Sequence, residues 1–297
     1  MSALVSNIFT QVAITLIAVA GVYVLTGLTG MFSLGQAAFM AIGAYASGLL
    51  VIKAKLPFAL AVLIAVVLAT VVGYLIGYPV VRLRRDYISL VTLGFGEAIA
   101  ALLNRMTSLT GGASGLTGIP RKVGLGIAGV SAVIAIALVA FFKTSKYGRQ
   151  CIALRGDELA AKAMGINVTR VKMIAFLLSV SLTAYSGCLY AFYMSYVDPT
   201  GFGWKKSADW VIMVFFGGVN SLTGSTLGAF ILNALPQALR GLQNFRYVIY
   251  AVLVLIILNF KPSGLLGEWE LTPRNIRESA ARLKKRLGGK AADRKEG

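Results

Sequence analysis

The stretch FALAVLIAVVLATVVGYLIGY, Phe58–Tyr78, decides the fold class. It holds no charged residue and no proline, and it matches the roughly 20 helical residues needed to cross a hydrocarbon core. Comparable apolar runs lie near 9–28, 31–52, 88–103, 125–142, 173–194, 210–219, 226–242 and 247–260. Of the 297 residues, 57% are hydrophobic and 13% are charged, whereas soluble domains carry about a quarter charged residues. So much apolar surface does not fit inside one water-soluble core. The reading is an all-α, polytopic transmembrane helix bundle of about eight or nine spans. The 210–219 run is short for a crossing and pairs with 226–242 as a re-entrant alternative. Either choice returns the chain to the same side.

Charge placement sets the expected orientation. Lys and Arg concentrate in loops on the cytoplasmic side. Arg82, Arg84, Arg85, Lys143, Lys146, Arg149, Arg155, Lys162, Arg170 and Lys172 fall on one side, together with the basic tail after Lys261. The N-terminus is then outside and the C-terminus cytoplasmic. Residues 1–266 read as a transmembrane domain with a cytoplasmic loop at 143–172, and residues 267–297 as a polar, basic cytoplasmic tail. Near Arg277–Leu287 the tail has the makings of an interfacial amphipathic helix. Met1–Ile52 lacks Lys, Arg, Asp and Glu, so no basic region of a cleavable signal is expected.

The net charge of +18 is read as contact with anionic lipid, not with nucleic acid. There is no histidine, and the two cysteines are Cys151 and Cys188. Histidine-based zinc sites and Ser-His-Asp triads are therefore excluded, and no disulfide framework or metal cluster is indicated.

Inside the spans, Ser179, Thr183, Gly187 and Ala191 repeat every fourth residue, a stripe suited to close helix packing. Gly73/Gly77 and Gly224/Gly228 are weaker signals of the same kind. Pro236 lies within a span and is expected to kink it. GLTGMFSLGQAAF (Gly27–Phe39) and GGVNSLTGSTLGA (Gly217–Ala229) each carry a G-x-x-S-L step. They read either as broken helices lining a transport path or as plain turns between spans. Ser33, Gln36 and Asn220 are the path candidates there. Glu97 reads as the one carboxylate well inside a span, a candidate functional group or a partner for a backbone group or Arg105. Asn233, one turn from Gln237, is a further candidate. Thr107–Pro120 has the composition of a surface turn region, without the strand and Lys of a phosphate loop.

RGDELAAKAMGI, Arg155–Ile166, breaks the apolar pattern. Asp157 is a good N-cap, Glu158 suits the positive helix end and precedes Lys162 by four residues, and Gly165 fits a left-handed stop. A helix of about seven residues, roughly 10 Å long, is not stable alone in water. It must dock on its own bundle or on a partner.

At these residues the chain resembles the LivM-type permease subunits of branched-chain amino acid ABC importers. The resemblance rests on Tyr147–Phe176, Gly27–Leu50, Leu109–Pro120 and Gly217–Ala229, in that family's order. Gln36 and Ser225 depart from residues common there (His and Pro) and leave the substrate open. The resemblance implies a second, similar permease subunit, two cytoplasmic ATPase subunits that use ATP-Mg, and a periplasmic substrate-binding protein. It also implies the bacterial inner membrane, and no cofactor or catalytic activity in this chain. Arg155, Asp157, Glu158, Ala161, Lys162 and Gly165 would form the coupling element docking on the ATPase. In this importer type selectivity rests largely on the binding protein, so urea, amides or other amino acids stay open. The competing readings are an ion-driven secondary transporter or channel, and an intramembrane enzyme. The first wants paired ionisable residues at the midplane; the second lacks acid–base groups.

Overall fold

The computed structural model describes residues 3–239, 245–261 and 263–271. The expected interfacial helix at 277–287, most of the basic tail and Pro273 lie outside them, as does Arg240. Each of the nine apolar runs has a helix at its centre: α1 (Ala3–Tyr23), α2 (Gln36–Ile52), α3 (Phe58–Val80), α4 (Arg85–Arg105), α6 (Leu125–Thr144), α9 (Val168–Met194), α10 (Trp204–Gly217), α11 (Leu222–Ala238) and α12 (Phe245–Phe260). A single turn, α5, covers Thr107–Thr110, and two polar helices, α7 (Lys146–Gly156) and α8 (Glu158–Ala163), cross the central loop. Among the described residues, five helices are long and apolar enough to span a membrane, from Val5–Thr29 to Val168–Met194. The chain is an all-α membrane bundle.

The core forms around α9, which packs on α1, α2 and α3. The small-residue stripe explains why. Ser179, Thr183, Gly187 and Ala191 are all buried. A Cβ on Gly187 would stand 2.0 Å from the Met40 carbonyl oxygen, and one on Gly43 would stand 2.2 Å from that of Ala184. Without those side chains, α2 and α9 approach backbone to backbone, which drives association where lipid removes the hydrophobic term. Gly73 and Gly77 likewise receive Val180 and Phe176 of α9, and Gly224 and Gly228 face Gly217 of α10. The outer faces of α3 and α6 stay apolar and exposed, with Leu63 and Val133 uncovered.

Two breaks interrupt the bundle. After Tyr23, α1 widens into a π turn over Val24–Thr29 and stops at Gly30, whose φ is 69°. Residues 31–35, the start of the apolar run at 31–52 and part of the stretch read as a broken helix or a turn, are not helical, and Gly35 there lies against the backbone of Thr92, where a Cβ would meet its oxygen at 2.2 Å. The second break, 218–221, separates α10 from α11 at Gly218, φ 122°. Phe32 and Phe215 stack beside the two breaks at 5.6 Å. Residues 265–266 close over the second break, Leu265 N donating to Phe216 O at 2.9 Å and Leu266 N to Gly217 O at 3.2 Å. At the opposite end, Thr107–Pro120 is more than a surface turn. Leu116 pairs with Val197 in a short antiparallel bridge, and Thr110, Leu116 and Ile119 are buried.

Candidate functional site

The loop end of the bundle is organised by two capped helices. Ser145 Oγ accepts from Gly148 N at 3.2 Å and starts α7. Asp157 Oδ1 accepts from Leu159 N at 2.8 Å and Ala160 N at 3.1 Å and starts α8. Gly165, φ 81°, ends it, with Gly165 N donating to Lys162 O and Ile166 N to Ala161 O. A carboxylate at the helix start and a left-handed glycine beyond its end satisfy groups that the helix cannot pair internally. Ala161 faces the bundle and is buried, while Leu159 and Met164 are 79% and 83% exposed. Glu158 pairs with Lys172 of α9 at 2.8 Å; the four-residue spacing had matched it with Lys162. That partner lies on a buried part of α9, so the pair ties α8 to the core. A groove of about 910 Å³ opens between α8 and the turn before α4, lined by Arg82, Arg84, Glu158, Leu159 and Lys162.

Arg155, at the end of α7, turns inward. Its Nη1 donates to Gly27 O at 2.6 Å and to Asn220 Oδ1 at 2.7 Å. One guanidinium nitrogen, through its two N–H donors, thus joins the loop to both helix breaks. Arg85 donates to the carbonyls of Leu154 and Arg155 and holds the same helix end from α4. Lys143 donates to Tyr23 OH at 3.0 Å and Asn220 O at 3.2 Å and forms an ion pair with Glu270. Glu270 accepts from Leu222 N, and Glu268 accepts from Asn220 Nδ2 at 3.2 Å. Residues 267–271 therefore pack on the bundle.

The path candidates separate into groups. Ser33 and Gln36 are buried together, Gln36 Nε2 donating to Ser33 Oγ at 3.3 Å and Thr183 Oγ1 to Gln36 Oε1 at 3.2 Å. Ser207 Oγ accepts from Ala37 N at the start of α2. Glu97 is exposed on α4, and its Oε1 accepts from Trp204 N at 3.0 Å, at the start of α10. Asn233 donates to Thr15 Oγ1 at 3.1 Å on the α1 side of α11. Asn220 joins none of these; it sits with Arg155.

Glu97 is not the only carboxylate within an apolar helix. Because α10 starts at Trp204, six residues before the apolar run read from the sequence, Asp209 falls inside it. Asp209 and Lys206 share a cavity of about 490 Å³ with Glu97. Sequence reasoning also missed Lys143, Tyr23, Lys172, Glu268 and Glu270. The one available signal was the pair of acidic residues in GEWEL, Gly267–Leu271, at the head of a basic tail. Outside the spans, burial pushes the Cys151 thiol of α7 up to about 12.

The profile of a family described as branched-chain amino acid transport system / permease component matches residues 4–258. The high-affinity branched-chain amino acid transport system permease protein LivM of Salmonella typhimurium is 30% identical over 294 residues, spanning 88% of this chain and 69% of that protein. LivM of Escherichia coli matches to the same extent. LivH of Escherichia coli, a permease protein of the same system, is 29% identical over 145 residues, 48% of this chain and 46% of that one. No solved structure matches the chain.

Proposed function

This chain belongs to the family of branched-chain amino acid transport permeases, and from that premise we propose that it is one of two permease subunits of an ATP-driven importer for branched-chain or related amino acids. The loop end faces the cytoplasm of a bacterial inner membrane, since Arg82, Arg84, Lys143 and Lys162 gather there and such residues favour that side. The N-terminus is then outside and the C-terminus inside. Residues 1–266 form the permease domain, with 267–271 sealing its second break. A LivH-like chain supplies the other half of the path. A periplasmic binding protein delivers substrate, and two ATPase subunits hydrolyse ATP-Mg, so this chain holds no catalytic group.

The observation that carries the coupling role is α8 itself. It is a six-residue helix, capped at Asp157 and stopped at Gly165, that exposes Leu159 and Met164. Exposed apolar residues on a short, rigid helix beside a groove fit insertion into a partner surface. Arg155 then transmits its displacement to both breaks, a lever of the kind that shifts a two-state bundle. The experiment is affinity capture of the tagged full chain, followed by leucine uptake in right-side-out vesicles with and without ATP. An ATPase partner and ATP-dependent uptake are expected, and Glu158→Lys with Gly165→Val should abolish uptake while the protein stays in the membrane. Normal uptake in that double variant sinks the coupling assignment.

Ion-driven transport by a single chain is the second reading, and Lys206 and Asp209 beside Glu97 favour it, because ionisable clusters at membrane depth mark ion paths. Uptake that survives ATP depletion and stops with a protonophore would decide for it.

A further inference from the structure

The cavity between α4 and α10 carries charges of both signs. Glu97 and Asp209, and Lys205 and Lys206, line it together with Trp204 and Thr200. Glu97 lies twelve residues along α4 from Arg85 and eight from Arg105, so the cavity opens roughly 18 Å from one helix end and 12 Å from the other. At that depth α10 begins, and a helix that starts inside a membrane protein aims its positive end at whatever occupies the space before it. Lys206 Nζ sits over the rings of Tyr190 and Phe202, at 4.5 and 4.6 Å from their centres. It makes no hydrogen bond to a protein atom among the described residues, so its donors remain open to a ligand. Glu97 already has one oxygen on Trp204 N. The volume lies within the roughly 300–1,000 Å³ of small-molecule sites.

A lone anion or cation would meet a like charge here. A zwitterion meets a partner at each end. We infer that this cavity binds the charged head of a free amino acid, Lys206 taking the α-carboxylate, Asp209 and Glu97 the α-ammonium, with Trp204 against the aliphatic side chain. The inference rests on the permease reading and names where that permease holds its substrate.

The test is equilibrium binding of radiolabelled L-leucine to the full-length chain in lipid nanodiscs. The competitors are 3-methylbutylamine and 4-methylpentanoate, each with one of leucine's two charges. Saturable binding is expected, with both analogues competing at least tenfold less well than leucine. Each charged contact contributes about 10- to 100-fold. Lys206→Gln should therefore weaken leucine by that factor and leave 3-methylbutylamine nearly unchanged. Asp209→Asn should do the same for leucine and spare 4-methylpentanoate. Equal losses for all three ligands mean a purely structural role and overturn the site. Unchanged leucine affinity in both variants, or no saturable binding by the wild-type chain, also overturns it. The permease reading fails separately, through capture of no ATPase partner by the full chain together with leucine uptake that does not depend on ATP, whatever the binding data show.

Discussion

Arg155 and Asn220, 65 residues apart in the chain, meet through Nη1 and Oδ1 at 2.7 Å, and the same nitrogen reaches Gly27 O. A loop helix and two interrupted membrane helices thus share one guanidinium. Replacing Arg155 with Gln removes the charge and its reach, leaving Gly27 O and Asn220 Oδ1 without this donor. A double-mutant cycle with Asn220→Ala should give a coupling energy of about 1–2 kcal/mol, reduced from the buried limit because Arg155 is half-exposed. Denaturant unfolding in detergent measures it, and uptake should fall more steeply than stability. Additive effects of the two substitutions would show that the contact has no energetic content.

Gly156 and Gly165 form a natural control pair on either side of α8. A Cβ at either position meets nothing within 4 Å, but only Gly165 has a positive φ, 81°. Gly165→Ala should cost about 1–2 kcal/mol of left-handed strain, whereas Gly156→Ala should be neutral or slightly stabilising. The readout is substrate-stimulated ATPase activity of the proposed importer complex, which should drop for Gly165→Ala alone.

Gly187→Ala places a methyl 2.0 Å from Met40 O, a backbone atom with no rotamer to escape into. Separation of α2 from α9 should cost at least about 1–3 kcal/mol. Gly129, on the outer side of α6, has no neighbour within 4 Å of its Cβ position. Gly129→Ala should raise stability by roughly 0.5–1 kcal/mol. Thermal midpoints of the purified protein should move in opposite directions for the two variants.

The Cys151 thiol, raised to about 12 and fully buried, should resist maleimide in the folded protein. At pH 8 its thiolate is on the order of one part in 10,000, and labelling should stay low up to pH 9. Denaturation should expose it and restore the ordinary rate. Rapid labelling of the native chain would show that the α7 packing opens readily.

Much of the fold is legible along the chain because its signals are local. The 58–78 run had to become a membrane helix whatever it touched, since an apolar stretch with internally paired backbone is the stable answer in lipid. Asp157 and Gly165 marked the ends of α8 because caps act within a few residues. The every-fourth-residue stripe at 179–191 exposed the packing face of α9 for the same reason. Legibility failed where a residue's partner lies far along the chain. Glu158 matched Lys162 by spacing, yet Lys172 took it. Asp209 escaped notice because a charged flank, Lys205–Lys206, hid the true start of α10.

Read along the chain alone, the residues establish the class of the molecule, its apolar helices and the polar loop helix, and they mark the two glycine-rich stretches as breaks or turns, since hydropathy, glycine and capping residues act over one or two turns. Only the tertiary structure decided that Arg155 points into the bundle, that Asn220 belongs with it and apart from Ser33 and Gln36, and that Glu97 shares a cavity with Lys206 and Asp209. Those pairings depend on which helices lie side by side, and that follows from close contacts such as Gly43 with Ala184 and Gly187 with Met40, formed between residues more than a hundred positions apart.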